Sequence, residues 1–353
     1  MTSAHFTLTF SRRDLQSVRA VALGLFLALF LACNTKPAQP TEVDTVVSEV
    51  QLDELAPGKL LLPNTLTSVK FAVIGDSGRW SQEQRETASQ MAVFRKDFPF
   101  EFVLMLGDNI YEGPASPEDY LHKFEEPYAD LLDAGVDFYA ALGNHDDPRQ
   151  VDYAPFNMKG ERYYSFAPPE DVLAKIANRV EFFALDTTNP DSAQLRWLDE
   201  RLGASKAEWK ICFFHHPLYT SGRYRAVTYV HRRLLEPLLV RHGVDVVLSG
   251  HEHIYQRSRL QEGIMYFVSG AAGSVRRGDG TESPLIARSY SQDLHFLLVE
   301  IDRDELHFQA ISRTGVTVDA GTLSKDDSAE ETDEEDLKPT GRPVPEQSHS
   351  AAP

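Results

Sequence analysis

Short apolar runs alternate with stretches of helical periodicity along most of the chain. Seven runs typical of buried strands end in VIGD, LMLGD, ALGN, ALDTT, FFHH, LSGH and FVSG. Amphipathic patterns over residues 82–97, 118–134, 192–202 and 227–242 predict helices between several of them. Two further runs, DLHFLLVEI and ELHFQAIS, flank residues 302–304 and predict a hairpin. The alternation of strands with helices predicts an α/β fold.

Side chains that can bind metals follow five of these strands, always at the carboxyl end. They are Asp76, Asp108, Asn144 with His145, His215 with His216, and His251 with His253. In four of the five cases a glycine precedes the polar residue, where the backbone must turn sharply. An extended backbone directs His251 and His253 to the same side, because they are two residues apart. Since open α/β sheets bind ligands beyond the carboxyl ends of their strands, these side chains predict one shared site.

This set of donors is too large for a single tetrahedral ion. Histidine nitrogens suit borderline transition metals, whereas carboxylate and amide oxygens suit harder ones. Two ions bridged by a carboxylate are therefore the natural interpretation, and such a pair activates water for displacement at phosphorus. The glycine turns lack the spacing and the lysine of a phosphate-binding NTPase loop, which argues against nucleoside-triphosphate motor chemistry.

Five blocks, GDSG, GDNIY, GNHD, HHP and GHEH, resemble in order and spacing those of the calcineurin-like metallophosphoesterases. The resemblance extends from Val69 to about Ser312. It is most specific for purple acid phosphatases of the small, tartrate-resistant type, because Tyr111 stands three residues after Asp108, where that family has the phenolate that gives its colour. The resemblance implies a four-layer α-β-β-α sandwich with two mixed sheets, and acid phosphatase activity on phosphate monoesters.

The resemblance also implies a role for each candidate residue. The two metals would be ferric iron held by Asp76, Tyr111 and His253, and ferrous iron, zinc or manganese held by Asn144, His215 and His251, with Asp108 bridging. A metal-bound hydroxide would attack phosphorus, and His145 would protonate the departing alkoxide or steady the phosphate. The alternative for His145 is that it only orients Asn144 or Asp76 through a hydrogen bond.

Three residues near the blocks are expected to lie outside the ligand set. Asp146 is expected to be an outer partner rather than a ligand. Strand alternation predicts that His216 faces away from His215, as an outer partner of the site or a satisfied polar group. Cys212, inside the apolar run WKICFF, is predicted to be a buried apolar group rather than a nucleophile.

The chain departs from the family after the fourth block. The animal enzymes carry another active-site histidine there, whereas this chain has Tyr224 at about that offset, and its nearest histidine is His231. Arg223, Tyr224 or Arg225 would then contact substrate phosphate, or would be solvated loop residues.

Both ends of the chain have distinct compositions. Arginines at 12, 13 and 19 precede an apolar run at 20–32 that is short for a membrane span. Ala32 before Cys33 resembles the lipobox of bacterial lipoproteins, which implies export, a lipid on Cys33 and a location in the cell envelope. A plain signal peptide or an uncleaved anchor is the alternative, and SRRDL resembles a twin-arginine export signal.

We therefore divide the chain into a signal peptide (1–33), a tether (34–68), a catalytic domain (69–315) and a disordered acidic tail (325–353). The net charge of −18, which includes eight acids in DDSAEETDEED, argues against a nucleic acid partner. A small phosphate ester is the expected substrate. A phosphodiesterase on the same scaffold is the second hypothesis. A surface protein that binds metals without turnover is the third, and the intact His145 and ligand set argue against it.

Overall fold

The computed structural model describes residues 46–50, 56–168 and 180–325. The signal peptide, Cys33 and the acidic segment lie outside these residues. None of the helices within the described ranges combines the length and the apolar character that a membrane crossing requires. The strands are Val46–Glu49 (β1), Val69–Ile74 (β2), Phe102–Met105 (β3), Asp137–Ala140 (β4), Tyr164–Phe166 (β5), Val180–Ala184 (β6), Trp209–Phe214 (β7), Val246–Ser249 (β8), Tyr255–Ser258 (β9), Met265–Ser269 (β10), Ile286–Tyr290 (β11), His295–Asp302 (β12), Glu305–Ser312 (β13) and Thr317–Ser324 (β14).

The strands form two mixed sheets, as predicted. The first sheet has the order β1-β14-β13-β12-β2-β3-β4, and the second has the order β11-β9-β10-β8-β7-β6-β5. Three strands of the first sheet, β2, β3 and β4, are parallel, and so are β6, β7, β8 and β10 of the second. All of the predicted site residues follow strands of these two parallel sets. The predicted hairpin is confirmed as the antiparallel pair β12 and β13.

The helices cover the outer faces of the two sheets. The α-helices are Gln82–Asp97 (α1), Pro117–Tyr120 (α2), Ala129–Leu132 (α3), Ser192–Ala204 (α4) and Thr228–Arg241 (α5). Helix α1 begins where the Ser81 side chain accepts a hydrogen bond from the Gln84 amide at 3.1 Å, which is a typical N-cap. Short 3₁₀ segments at Pro148–Asp152 and Ala154–Phe156 follow β4.

Strand alternation explains the four layers. Phe71 of β2 and Phe182 of β6 point inward, and their rings meet edge to face at 5.2 Å between the two sheets. The alternate residue Ile74 packs with Met91 of α1 on the outer face of the first sheet. Phe214 of β7 packs with α4 and α5 on the outer face of the second sheet. The chain therefore forms the α-β-β-α sandwich that its family resemblance implies.

The helix predicted over residues 118–134 is divided. Helix α2 passes into a π-helical turn at Leu121–Glu125, in which the Glu126 amide donates to the Leu121 carbonyl at 2.8 Å, and α3 follows separately. Pro127 lies between the two segments, has no amide hydrogen to donate and clashes with a continuing helix. The amphipathic pattern correctly indicated helical residues in this range. The prediction of a single helix was wrong because it ignored Pro127.

The folded domain is longer than the predicted range of 69–315. Strand β1 pairs with β14 at the sheet edge, and Leu62 is buried in the core. The amides of Asn64 and Thr65 donate to the Glu300 carboxylate, each at 2.6 Å. Interpretation of 34–68 as a tether is therefore wrong for these residues, which belong to the folded domain. Strand β14 extends the domain to Ser324.

Candidate metal centre

Turns at the carboxyl ends of five parallel strands bring the predicted site residues together. Asp76, Asp108 and His251 follow these strands with φ angles of 55°, 51° and 67°. Residues other than glycine rarely adopt positive φ, and such backbone strain is concentrated at functional sites. The three turns direct polar side chains from both sheets toward one region.

Glycines in these turns allow the loops to approach one another closely. A Cβ atom at Gly143 would lie 2.1 Å from the backbone nitrogen of Asp108, and one at Gly250 would lie 2.6 Å from Oδ2 of Asp76. Any larger residue would push the neighbouring turn away. Gly143 and Gly250 are therefore required by packing around the two carboxylates.

One cluster of three side chains, which we call the first donor group, contains Asp76, Tyr111 and His253. The Tyr111 hydroxyl lies 3.0 Å from Asp76 Oδ1 and 3.2 Å from His253 Nε2. His253 Nε2 is also 3.2 Å from the same oxygen of Asp76. Nδ1 of His253 lies 2.8 Å from the Ser274 hydroxyl, so the ring is held with Nε2 directed into the group.

A second cluster, the second donor group, contains Asn144, His215 and His251. His215 Nε2 lies 3.0 Å from Asn144 Oδ1 and 3.1 Å from His251 Nδ1. The other nitrogen of His215 lies 2.9 Å from the carbonyl oxygen of Leu106, which can only accept. Nδ1 therefore donates a proton to this carbonyl, and Nε2 is directed toward Asn144 and His251.

Asp108 lies between the two donor groups. Its Oδ1 accepts a hydrogen bond from the His145 amide at 2.8 Å and is 3.4 Å from His215 Nε2. One oxygen from each of Asp76 and Asp108 and one nitrogen of His215 lie within 4.8 Å of one another. The two groups thus form a continuous cluster of candidate ligands, with a carboxylate in the position of a bridge.

The electrostatics of the cluster favour cations. Asp76 is fully buried, which opposes its charge, but its hydrogen bond to His253 and the nearby imidazoles lower its pKa to about 2. Burial, reinforced by the charges of Asp76 and Asp108, raises the pKa of Tyr111 well above its ordinary value. Burial lowers the pKa of His251 to about 3, which keeps the imidazole neutral and able to donate a lone pair. Burial opposes the charge of His215, but Asp108 and Asp76 raise its pKa. Buried carboxylates beside imidazole nitrogens are donor groups that suit transition-metal ions.

His145 and Asp146 occupy different environments. His145 is exposed, and its ring centroid lies 4.9 Å from that of Tyr111, so it stands beside the first donor group without joining it. Asp146 accepts hydrogen bonds from the amides of Gly143 at 2.8 Å and Ile110 at 2.9 Å. Burial raises the pKa of Asp146 to about 7. Asp146 thus holds the turn that carries Asn144 and His145, as expected for an outer partner.

The prediction that His216 faces away is wrong. Its ring centroid lies 4.5 Å from that of His251, and its imidazole lies 4.8 Å from that of His231 in a parallel stack. Strand β7 ends at Phe214, so alternation no longer determines the direction of the next two side chains. Burial lowers the pKa of His216 to about 2. A metal-competent nitrogen of His216 lies within 4.8 Å of those of His215 and His251.

Sequence reasoning left Tyr224 undecided and missed three other residues beside the cluster. The Tyr224 ring centroid lies 4.5 Å from that of His251. The Arg79 guanidinium lies 3.2 Å from the Tyr111 ring centroid. Glu252 is fully buried between the two histidines of GHEH, and Arg276 lies over Tyr224. The acid inside GHEH and the arginine pair in SVRR were the available signals.

Comparisons with known proteins identify the family of this chain. The family described as calcineurin-like phosphoesterase matches residues 69–255. Purple acid phosphatase 17 of Arabidopsis thaliana is 30% identical over 241 residues, covering 60% of this chain and 70% of that protein. Tartrate-resistant acid phosphatase type 5 of Oryctolagus cuniculus is 26% identical over 248 residues, covering 60% of this chain and 76% of that protein.

A solved structure gives the same fold. The purple acid phosphatase from yellow lupin (Lupinus luteus) seeds superposes with a TM-score of 0.55 at 18% identity, over 74% of this chain and 55% of that one. The matched range of 69–255 contains all eight predicted site residues, from Asp76 to His253. The chain therefore belongs to the calcineurin-like phosphoesterase family, which acts on phosphate esters, and has purple acid phosphatases among its homologues.

Proposed function

We propose that this protein is a purple acid phosphatase that hydrolyses phosphate monoesters with two metal ions. The observation that carries the proposal is the pair of donor groups, each with separations of 3.0–3.2 Å between donor atoms, with Asp108 between them. Five separate turns bring these buried carboxylates and imidazoles together, and such an arrangement is costly to the fold unless cations compensate the carboxylate charges.

The residues present fit two metals of different character. Asp76, Tyr111 and His253 would hold ferric iron, because carboxylate and phenolate oxygens suit a hard trivalent ion. Asn144, His215 and His251 would hold a divalent ion, either ferrous iron, zinc or manganese, and Asp108 would bridge. When bound, the two ions supply charge that stabilises the phosphoryl oxygens and lower the pKa of water, so that hydrolysis proceeds without a covalent enzyme intermediate.

The side chains of this protein contribute positioning and a proton. Asp146 fixes the turn that presents Asn144 and His145 through its bonds to Gly143 and Ile110. The exposed imidazole of His145 is accessible to substrate and would donate its proton to the departing oxygen as general acid. Leu106 and Ser274 orient the rings of His215 and His253 through hydrogen bonds.

Activity on two matched esters tests the proposal. The purified, iron- and zinc-loaded protein should hydrolyse phenyl phosphate much faster than diphenyl phosphate across the acid and neutral range, and chelation should abolish turnover. His145→Ala should lower kcat by about 10²–10⁴-fold, the usual contribution of a general acid. His242→Ala is the matched control. His242 precedes β8 and therefore lies near the amino end of that strand, whereas the site lies at its carboxyl end. Its Nε2 is 2.6 Å from Asp199 Oδ1.

Different failures lead to different conclusions. Faster turnover of diphenyl phosphate would support the phosphodiesterase hypothesis. Stoichiometric metal binding with no turnover of either ester would support the non-catalytic hypothesis. Loss of metal from the His145→Ala protein would show that His145 holds the metal centre together rather than donating a proton.

We also propose export and lipid attachment at Cys33, which lies outside the described residues. Lipidated protein should partition into the detergent phase of a Triton X-114 extract, and mass spectrometry of the unmodified protein should find an amino-terminal peptide that begins at Cys33 and carries the added mass of a lipid. Detection of residues 1–32 in the detergent-phase protein, with no lipid mass on Cys33, would indicate an uncleaved anchor instead.

A further inference from the structure

Helix α5 carries an exposed apolar stripe. Val227 at its amino end, and Val230 and Leu234 within it, are 53%, 60% and 37% exposed, and the exposed Pro237 continues the row. Intervals of three, four and three residues place these side chains on one face of a helix. Apart from Tyr229 beside the stripe, the other large apolar side chains that are exposed among the described residues are single and well separated in sequence, as is normal on a protein surface. Apolar exposure is therefore concentrated on α5.

The opposite face of α5 holds the helix against the domain. Leu235 and Leu239 are buried in one cluster with Phe214 of β7. Nε2 of His231, on the same side of the helix, lies 3.0 Å from the Thr187 carbonyl oxygen. Because these contacts fix the rotation of the helix, the stripe faces outward and takes no part in the described core.

Arginines accompany the stripe. Residues 223–241 contain a single acid, Glu236, and five arginines, in a chain whose net charge is −18. Arg223, Arg225 and Arg233 are exposed and, within the described part of the chain, form no ion pair. We call the exposed side chains of residues 223–241 the α5 surface. This surface combines apolar side chains with positive charge that no acidic side chain of the described domain neutralises.

We infer that the α5 surface docks on a membrane that contains anionic lipid. The apolar side chains of the stripe enter the boundary between headgroups and acyl chains, while the arginines bind lipid phosphates. Since the chain as a whole is acidic and is repelled by such a membrane, docking depends on the local excess of arginine and fixes one orientation of the domain. The Tyr224 ring centroid lies 4.5 Å from that of His251, so docking through this surface holds the candidate metal centre near the lipid.

Three other occupants fit the α5 surface less well. A nucleic acid would pair with the arginines but would leave Val230 and Leu234 without an apolar partner. A symmetric contact between two copies of the chain would bring like charges together. The acidic segment 326–336 follows β14 closely and would neutralise the arginines, but Ala329 is its only apolar side chain. An anionic membrane supplies both the negative charge and the apolar phase.

Vesicle sedimentation tests the inference on the chain from residue 34 onward. This chain keeps every described element, since the first is β1, and lacks the apolar run at 20–32, which would itself enter lipid. At low salt it should bind vesicles of mixed phosphatidylcholine and phosphatidylglycerol about tenfold or more tightly than vesicles of phosphatidylcholine alone, because each arginine near an anionic surface favours binding. Val230→Ser combined with Leu234→Ser should lower the affinity for mixed vesicles by about tenfold or more, through loss of apolar burial. Arg223→Gln combined with Arg225→Gln should reduce the preference for mixed vesicles by a similar factor.

Leu66→Ser combined with Val93→Ser is the matched control, because both side chains are exposed and neither belongs to the α5 surface. This protein should bind mixed vesicles as tightly as the unmodified one. Equal binding to both kinds of vesicle, or undiminished binding after the two serine changes on α5, would overturn the inference. Vesicle binding that appears only when the chain ends at Lys325 would assign the surface to the acidic segment instead. A dimer that the same serine changes dissociate, without vesicle binding, would assign it to a second copy. None of these measurements depends on turnover, so they stand apart from the test of the proposed phosphatase activity.

Discussion

The Tyr111 hydroxyl occupies a place where ionisation is unfavourable unless a cation is present. Burial and the nearby carboxylates raise its pKa, and the Arg79 guanidinium over its ring offsets only part of this effect. Both carboxylates that oppose its ionisation are themselves candidate ligands. A trivalent ion bound among these oxygens would reverse the balance and make the phenolate the stable form.

Removal of the hydroxyl tests that argument. If Tyr111 is the ferric ligand, as proposed, Tyr111→Phe should abolish the visible charge-transfer band of the iron-loaded protein, because the phenolate that would donate charge to ferric iron is gone. The ring itself keeps its contact with Arg79, so the fold should survive. The measurement is the absorption spectrum of the purified protein at equal iron content.

Tyr139→Phe provides the comparison, since Tyr139 lies in β4 and stacks on Phe166 at 3.8 Å, away from the donor groups. Its spectrum should match that of the unmodified protein. A band that persists in the Tyr111→Phe protein would mean that Tyr111 is not the ferric ligand.

Single residues differ in how far the sequence reveals them. Tyr111 was singled out by the family resemblance, which a short local motif, GDNIY, was enough to reveal. The direction of the His216 side chain was not predictable, because β7 ends at Phe214 and strand alternation does not apply beyond it. Arg276 was not either, because its proximity to Tyr224 joins residues that are 52 positions apart. Such contacts depend on tertiary packing that no local pattern encodes.

At the scale of elements, the turns that follow the strands set the geometry of the donor groups, because the candidate ligands lie in these turns. Gly143→Ala would place a Cβ atom 2.1 Å from the Asp108 backbone nitrogen and 2.2 Å from its Oδ1. Backbone atoms cannot move aside as a flexible side chain can, so the turns after β3 and β4 must separate. We expect a loss of about 2 kcal/mol or more in the free energy of unfolding, together with weaker metal binding.

The matched change is Gly135→Ala, in the turn before β4. Gly135 has φ of +76° but a Cβ atom there meets nothing within 4 Å, so only conformational strain of about 1 kcal/mol is expected. Urea unfolding and metal content of both variants separate the two effects. Full metal content in the Gly143→Ala protein would show that the two turns are not tightly coupled.

Elements were predicted well where the pattern was long and uninterrupted. Helix α1 matches its predicted range of 82–97, because Ser81 caps it and its apolar face packs on the first sheet. The prediction of one continuous helix over residues 118–134 was wrong, because Pro127 interrupts it. Strands β9 and β11 were not predicted at all: β9 carries polar side chains and β11 is largely exposed, so neither shows a clear alternation of apolar positions.

At the scale of the whole molecule, the site exists because two separate sheets direct the ends of their parallel strands to one place. The sequence indicates that each of these strands is followed by a candidate ligand, and the carboxyl-end rule places candidate ligands from one sheet together. It does not indicate by itself that β2, β3 and β4 belong to a different sheet from β7 and β8. The family resemblance implied two sheets, but only the structure shows which strands form each one, because strand order depends on long-range pairing.

The core also contains a histidine that bears on stability rather than on the site. His295 begins β12, is fully buried, and packs edge to face on Tyr255 at 5.5 Å between centroids. Within the described part of the chain, neither of its ring nitrogens has a hydrogen-bond partner. Burial lowers its pKa to about 3. The folded protein therefore keeps this ring neutral in mildly acidic solution, although protonation is favourable once the chain unfolds.

The sign of the resulting pH dependence follows from linkage. Above about pH 6.5, the ordinary histidine value, neither state binds the proton and His295 adds no slope. As the pH falls from there toward 3, only the unfolded state takes up the proton, so the free energy of unfolding decreases. In His295→Phe this contribution disappears, and the loss of stability between pH 7 and pH 5 should be smaller by about 2 kcal/mol. Urea titrations of both proteins with chelator present measure the difference, and their slopes between pH 7 and pH 8 should agree. Equal losses down to pH 5 would mean that His295 is protonated in the folded state or finds a partner on acidification.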